Sequence, residues 1–109
     1  MVLVLVMEYE LADVVISLNG RDKGKRFIVI GKEDSYSFLA DGKGRKIDKP
    51  KRKKNKHIKP DGAIITQLKN KLETGEKVTN KELRRELAQY TASLADTTLD
   101  GSKKKGDVQ

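Results

Sequence analysis

The spacing of apolar positions changes character once along the chain, near residue 60. Before it, short β-branched runs alternate with glycine-rich turns. Residues 13–18 (Asp-Val-Val-Ile-Ser-Leu) end on Asn19-Gly20 and predict a strand, with Val14, Ile16 and Leu18 on one face and Val15 and Ser17 on the other. Asn19-Gly-Arg-Asp-Lys-Gly24 is a turn whose two glycines tolerate positive φ. A second strand is predicted over 26–30, a polar connector over 31–35 and a third strand over 36–40 (Tyr-Ser-Phe-Leu-Ala). Asp41-Gly-Lys-Gly44 is a further turn, 45–47 a short fourth strand, and His57-Ile58 a short last one after the Lys/Arg run. Four or five short strands joined by tight turns favour a small barrel over an open sheet, because closure removes exposed edges.

Beyond residue 60 the period becomes helical. Asp61 is placed to cap a helix over about 62–74, where Ile64, Leu68 and Leu72, with Ile65 alongside, make one apolar stripe. Gly75 suits the left-handed position that ends a helix. Thr79-Asn-Lys-Glu82 fits a capping box, and Val78 and Leu83 are spaced for a hydrophobic staple. Leu83, Leu87, Tyr90 and Leu94 continue one face of this second helix, and the short connection predicts an αα-hairpin packed on the barrel. From about Asp96 the chain turns polar and is expected to be disordered. The expected organisation is mainly β with C-terminal α: a barrel with its basic segment over 1–60, a helical hairpin over 61–95 and a disordered tail over 96–109.

Composition narrows the class. The chain of 109 residues is 36% apolar and 37% charged, with three Tyr, two Phe and no Trp, so its core must be small and aliphatic. With no cysteine, disulfides and thiolate metal sites are excluded, which fits a reducing cytoplasm. The opening Met-Val-Leu-Val-Leu-Val is too short to span a bilayer and lacks a basic leader, so no membrane association is expected. It reads either as an extra edge strand or as an extension upstream of a true start at Met7.

The net charge of +8 is concentrated. Between Lys43 and Lys59 stand ten basic residues against the single acid Asp48, so this segment carries +9 and the remainder sums to −1. Lysines and arginines this dense repel one another, and a polyanion that neutralises them gains counterion-release free energy. The expected contacts in this segment are Arg45, Lys46, Lys49, Lys51, Arg52, Lys53, Lys54 and Lys56, held outward together on a tethered loop. A solvated linker or a nuclear-localisation-like patch are the alternatives. The turn adds Gly20 and Gly24, expected to expose backbone amides, and Arg21, Lys23 and Lys25, which supply charge. Tyr36 and Phe38 share a face and suit either a small core or stacking on bases. Lys81, Arg84 and Arg85 on the second helix interleave with Glu82 and Glu86, which reads as a solvated face more than as a secondary phosphate patch.

Catalysis finds little support. His57 is the only histidine, so a typical zinc site cannot be anchored on it. A serine–histidine–acid arrangement could use only this residue, whose neighbouring cations disfavour an imidazolium; it reads as a partly exposed strand residue near RNA. Asp13, Asp22, Asp34 and Asp41 fall in or beside turns, where Asp bonds its own backbone, and no phosphate-binding glycine loop with its lysine occurs. No catalytic residue, metal ligand or cofactor is assigned, and an enzyme is not expected.

The junction Val14-Val-Ile-Ser-Leu-Asn-Gly20-Arg-Asp-Lys-Gly24-Lys-Arg-Phe-Ile-Val-Ile30 resembles the KOW motif found in SH3-like barrels of ribosomal proteins and transcription elongation factors. The longer series is Gly20-Arg-Asp-Lys-Gly-Lys, Val29-Ile30, Phe38-Leu-Ala-Asp-Gly42 and Asn55-Lys-His-Ile58. Over roughly residues 8–60 it is similar to the fourteen-e type of large-subunit ribosomal protein of archaea and eukaryotes. The resemblance implies an SH3-like barrel that binds RNA of the large ribosomal subunit, and the free protein is expected to be a monomer. Residues 61–109 lie outside it. The competing expectations are a protein-interaction module, in which barrel and hairpin dock a partner, and a general DNA-binding protein.

Overall fold

β1 (Asp13–Ser17) is buried on both faces: Val14 and Val15, adjacent and therefore opposed across the sheet, are each 0% exposed. Such a strand needs an apolar layer on either side, and two clusters supply them. One gathers Tyr9, Val15, Phe27, Val29, Leu39 and Ile58. The other gathers Ala12, Ile28 and Ala40 with Leu68, Val78 and Leu83 from the C-terminal helices. The structure, a computed structural model, describes residues 9–99, so the expectations for the first residues and for the tail beyond 99 lie outside the described residues.

β2 (Arg26–Glu33), β3 (Tyr36–Ala40), β4 (Lys51–Lys54) and β5 (Ile58–Ile64) join β1 in one antiparallel sheet of order β4-β3-β2-β1-β5, with a 3-10 turn at Asn55–His57. Among the described residues no ladder joins the two edges, so the closed barrel favoured by the strand pattern is a five-stranded sheet that does not close. It is nonetheless strongly rolled. The Lys53 ammonium on edge strand β4 donates at 2.9 Å to the Asn19 carbonyl in the β1–β2 turn, three strands away in the sheet order.

Two elements depart from the expected pattern. The fourth strand is the basic run itself, not 45–47, because Lys51–Lys54 pair with β3 in the register Tyr36↔Lys54, Ser37↔Lys53, Phe38↔Arg52 and Leu39↔Lys51. A lysine-rich strand is tolerated at a sheet edge, where its charges also deter further pairing. Asp61 caps no helix: it lies within β5, which pairs along β1 from Ser17↔Ile58 to Asp13↔Ile64. Gly62, at φ 91°, stands outside the helical region altogether. The domain boundary expected at residue 60 thus falls inside a strand.

α1 (Thr66–Thr74) stops on Gly75 in the left-handed conformation, φ 80°, as its sequence implied. α2 (Asn80–Leu99) starts with the capping box: the Glu82 amide donates to Thr79 Oγ1 at 3.1 Å, and the Thr79 amide donates to Glu82 Oε1 at 3.0 Å. It runs past residue 96, where disorder was expected to begin. Leu68 and Leu72 of α1 pack with Leu83 and Leu87 of α2 over Ile28 and Ala40, while Lys71–Glu82 and Gln67–Glu86 bridge the two helices. The helices therefore cover the second face of the sheet.

Candidate nucleic-acid interface

The β1–β2 turn is built around an inward-pointing acid. Gly20 and Gly24 take φ of 83° and 87°, conformations costly to any residue with a Cβ. The turn closes on itself: the Lys23 amide donates to the Gly20 carbonyl (3.2 Å), Gly24 to Ser17 (2.8 Å) and Lys25 to Asp22 (2.9 Å). The Gly24 amide expected to face a ligand is spent on this internal bond. What the turn offers outward is the exposed side chains of Arg21, Lys23 and Lys25.

Asp22 is buried beneath them. Its Oδ1 accepts from Ser17 Oγ at 2.7 Å and from Lys53 Nζ at 3.0 Å, while Lys51 Nζ stands 4.0 Å from Oδ2, which accepts no hydrogen bond. Burial pushes the Asp22 carboxyl up, but the Ser17 and Lys53 hydrogen bonds and the charges of Lys53 and Lys51 outweigh it and hold the group below its ordinary value of 3.8.

The basic run is divided by its own pleat. Lys51 and Lys53 share a face with Leu39 and Ser37, whereas Arg52 and Lys54 take the opposite one. Lys53 is 7% exposed and committed to Asp22 and Asn19, so it does not present charge to a ligand. The outward block of cations expected over 45–56 is corrected accordingly: a strand turns alternate residues inward, and the inward lysines are neutralised by an acid from another turn. Arg52 is also engaged, its guanidinium 3.6 Å from the Tyr36 ring centroid and its Nε donating to Glu33 at 2.9 Å. Lys54 and Lys56 are exposed. Tyr36 and Phe38 are half-buried and belong to neither apolar cluster; Tyr36 lies beneath Arg52, and Phe38 packs against Gly31, where a Cβ would stand 3.3 Å from its ring.

A second loop meets the first. Asp41 Oδ1 accepts the amides of Lys43 and Arg45, both at 2.9 Å, a side-chain turn that presents Lys43, Arg45, Lys46 and Lys49 to solvent. Between this loop and the glycine turn lies a hollow of about 230 Å³ bordered by Arg21, Lys25 and Arg45. It shares Lys25 and Asp41 with a larger hollow of about 430 Å³ that reaches Arg26, Lys43 and Arg84 of α2. Arg26 is neutralised by Asp61 at 2.6 Å. Arg21, Lys25, Lys43, Arg45 and Arg84 make no ion pair among the described residues. The fold thus gathers five cations without an ion-pair partner among the described residues around two loops and one helix, and Lys43 and Arg84 stand where sequence spacing did not place them. The spacing on α2 reads Arg84 as part of a solvated face with Lys81 and Arg85, and nothing local points to the loop it meets, which lies some forty residues earlier.

Among the described residues, no group of His, Cys, Asp and Glu side chains is arranged to hold a metal ion, and no helix is long and apolar enough to cross a membrane. His57 sits half-buried in the 3-10 turn, its carbonyl accepting the Leu18 amide at 2.9 Å. Compared with known proteins, the chain matches no protein-family model and no curated protein.

Proposed function

We propose that the protein binds RNA, as a cytoplasmic ribosomal or ribosome-associated component, by laying phosphate backbone across the glycine turn and the 41–49 loop of an SH3-like barrel of the KOW type. The rolled five-stranded sheet, with β4 meeting the β1–β2 turn, is compatible with such a barrel. One observation carries the reading. Arg21, Lys25, Lys43 and Arg45 face solvent around two hollows that share Lys25, with no ion-pair partner among the described residues, while the nearby acid Asp22 is turned inward and consumed by Lys53. Cations kept together at the cost of mutual repulsion are stabilised by a polyanion. With no row of exposed aromatics among the described residues to stack bases, recognition rests on backbone and shape.

Binding of a structured RNA, followed by fluorescence anisotropy across salt concentrations, tests this. Engagement of about five phosphates gives log affinity a slope of roughly −3.5 to −4.5 against log salt. No binding at low salt, or binding indifferent to salt, overturns the proposal. Competition with duplex DNA decides the nature of the polyanion. Sedimentation of the native protein with large ribosomal subunits, released by high salt, tests the ribosomal assignment.

A further inference from the structure

We infer that the hollow against α2 is a phosphate subsite, and that the C-terminal helices are part of the RNA-binding unit and not a separate docking module. The inference rests on the RNA-binding reading above and extends it to residues 61–99. Three contacts fasten the 41–47 loop to the first turns of α2. Gly42, at φ 81°, lies so close to the helix that a Cβ would stand 2.3 Å from the Asn80 carbonyl. The Ile47 amide donates to Asn80 Oδ1 at 2.8 Å, and Arg84 Nη1 donates to the Gly42 carbonyl at 2.7 Å. The loop that carries Lys43 and Arg45 is therefore shaped by the helix.

Arg84 does more than brace. Its guanidinium has five N–H donors, and the Gly42 bond uses one. It borders the hollow beside Lys25 and Lys43, over a floor of Leu87, Ala88 and Thr91. Thr91 Oγ1 donates to the Leu87 and Ala88 carbonyls at 3.1 and 3.0 Å, so its proton is directed back into the helix and not towards the hollow. Asp41, the acid at the rim, has Oδ1 committed to two loop amides. Three cations above an apolar floor match a phosphodiester, which an arginine can grip through two donors at once.

Arg84→Ala, Arg84→Lys and Arg85→Ala in the full chain test the inference, with RNA affinity, its salt slope and thermal stability measured for each. Arg85 lies on the same helix and is paired with Glu86 at 3.7 Å. Arg84→Ala weakens RNA binding about fivefold or more and lowers the salt slope by about 0.7–0.9, the increment for one phosphate. Arg84→Lys keeps the slope, and Arg85→Ala stays within about twofold of wild type. Should Arg84→Ala fail to fold, Arg84→Lys decides, since a lysine that loses the same increment of slope removes the role of charge. Inorganic phosphate titrated into the labelled protein shifts the Lys43 amide and the Arg84 Nε resonance first. Wild-type affinity and slope in Arg84→Ala, or equal loss in Arg85→Ala, overturns the subsite while leaving RNA binding standing. A wild-type protein that binds no RNA overturns both.

Discussion

Replacing Lys53 with Met keeps the aliphatic stem and deletes the ammonium group, which isolates what that charge contributes. In the fold, Lys53 Nζ lies 2.9 Å from the Asn19 carbonyl and 3.0 Å from Asp22 Oδ1, with side chains 7% and 11% exposed for Lys53 and Asp22. Breaking a buried ion pair by removing one partner costs about 3–5 kcal/mol, because the remaining charge is left without compensation. Two features reduce this. Asp22 keeps the Ser17 hydroxyl at 2.7 Å, and Lys51, 4.0 Å away, is placed to lean in. The expected loss is therefore about 2–3 kcal/mol, or a fall in Tm of about 10–20 °C for a domain near this size. Lys54→Met deletes the same charge from the neighbouring, outward position and changes stability by less than about 0.5 kcal/mol. Urea denaturation followed by circular dichroism measures both. Asp22→Asn in the Lys53→Met background restores part of the loss, and a double-mutant cycle yields a coupling of at least about 1 kcal/mol. Equal stability in the two methionine variants would show that the pleat does not sort the basic run as described.

Asp22 also makes stability depend on pH. Its carboxyl is held below 3.8, so the ionised form contributes stability above that value and loses it as pH falls through the lowered pKa of the folded state. The gap between wild type and Asp22→Asn is expected to be widest near neutrality and to narrow below pH 3.8, and urea midpoints from pH 7 to pH 2 check it. Gly42→Ala introduces both a Cβ against the Asn80 carbonyl and a strained positive φ, and lowers stability by about 2–4 kcal/mol in chemical denaturation. Thr79→Ala removes the hydroxyl that accepts the Glu82 amide and costs about 1 kcal/mol, seen as a lower urea midpoint with little change in m.

Local signals were legible in the sequence where they were self-contained. The Thr79–Glu82 box, the Val78–Leu83 pair and the left-handed Gly75 are decided by residues within a few positions of one another, and all three stand in the structure. The β1–β2 turn was legible for the same reason. The strand at Lys51–Lys54 was not, because four consecutive cations carry no alternation of apolar and polar residues. Its inward face is defined by Asp22, 31 residues away from Lys53. Asp61 shows the opposite failure, in which a sound local cap signal was overridden by pairing of β5 along β1 and by the Arg26 ion pair. For the interface, charge was legible and direction was not. Composition located the cations, but only the pleat and the Arg84–Gly42 contact show which of them meet.

The cluster of Ile28 and Ala40 with Leu68, Val78 and Leu83 orders events during synthesis. All five strands leave the ribosomal tunnel before Leu83 does, yet one side of the sheet remains apolar and wet until that leucine arrives. A nascent chain halted after β5 holds every strand and still lacks its lid, which makes it sticky and open to chaperones and proteases. A shortened polypeptide ending at residue 60 lacks this lid and also the second half of β5, so functional dissection is better served by point changes in the whole chain.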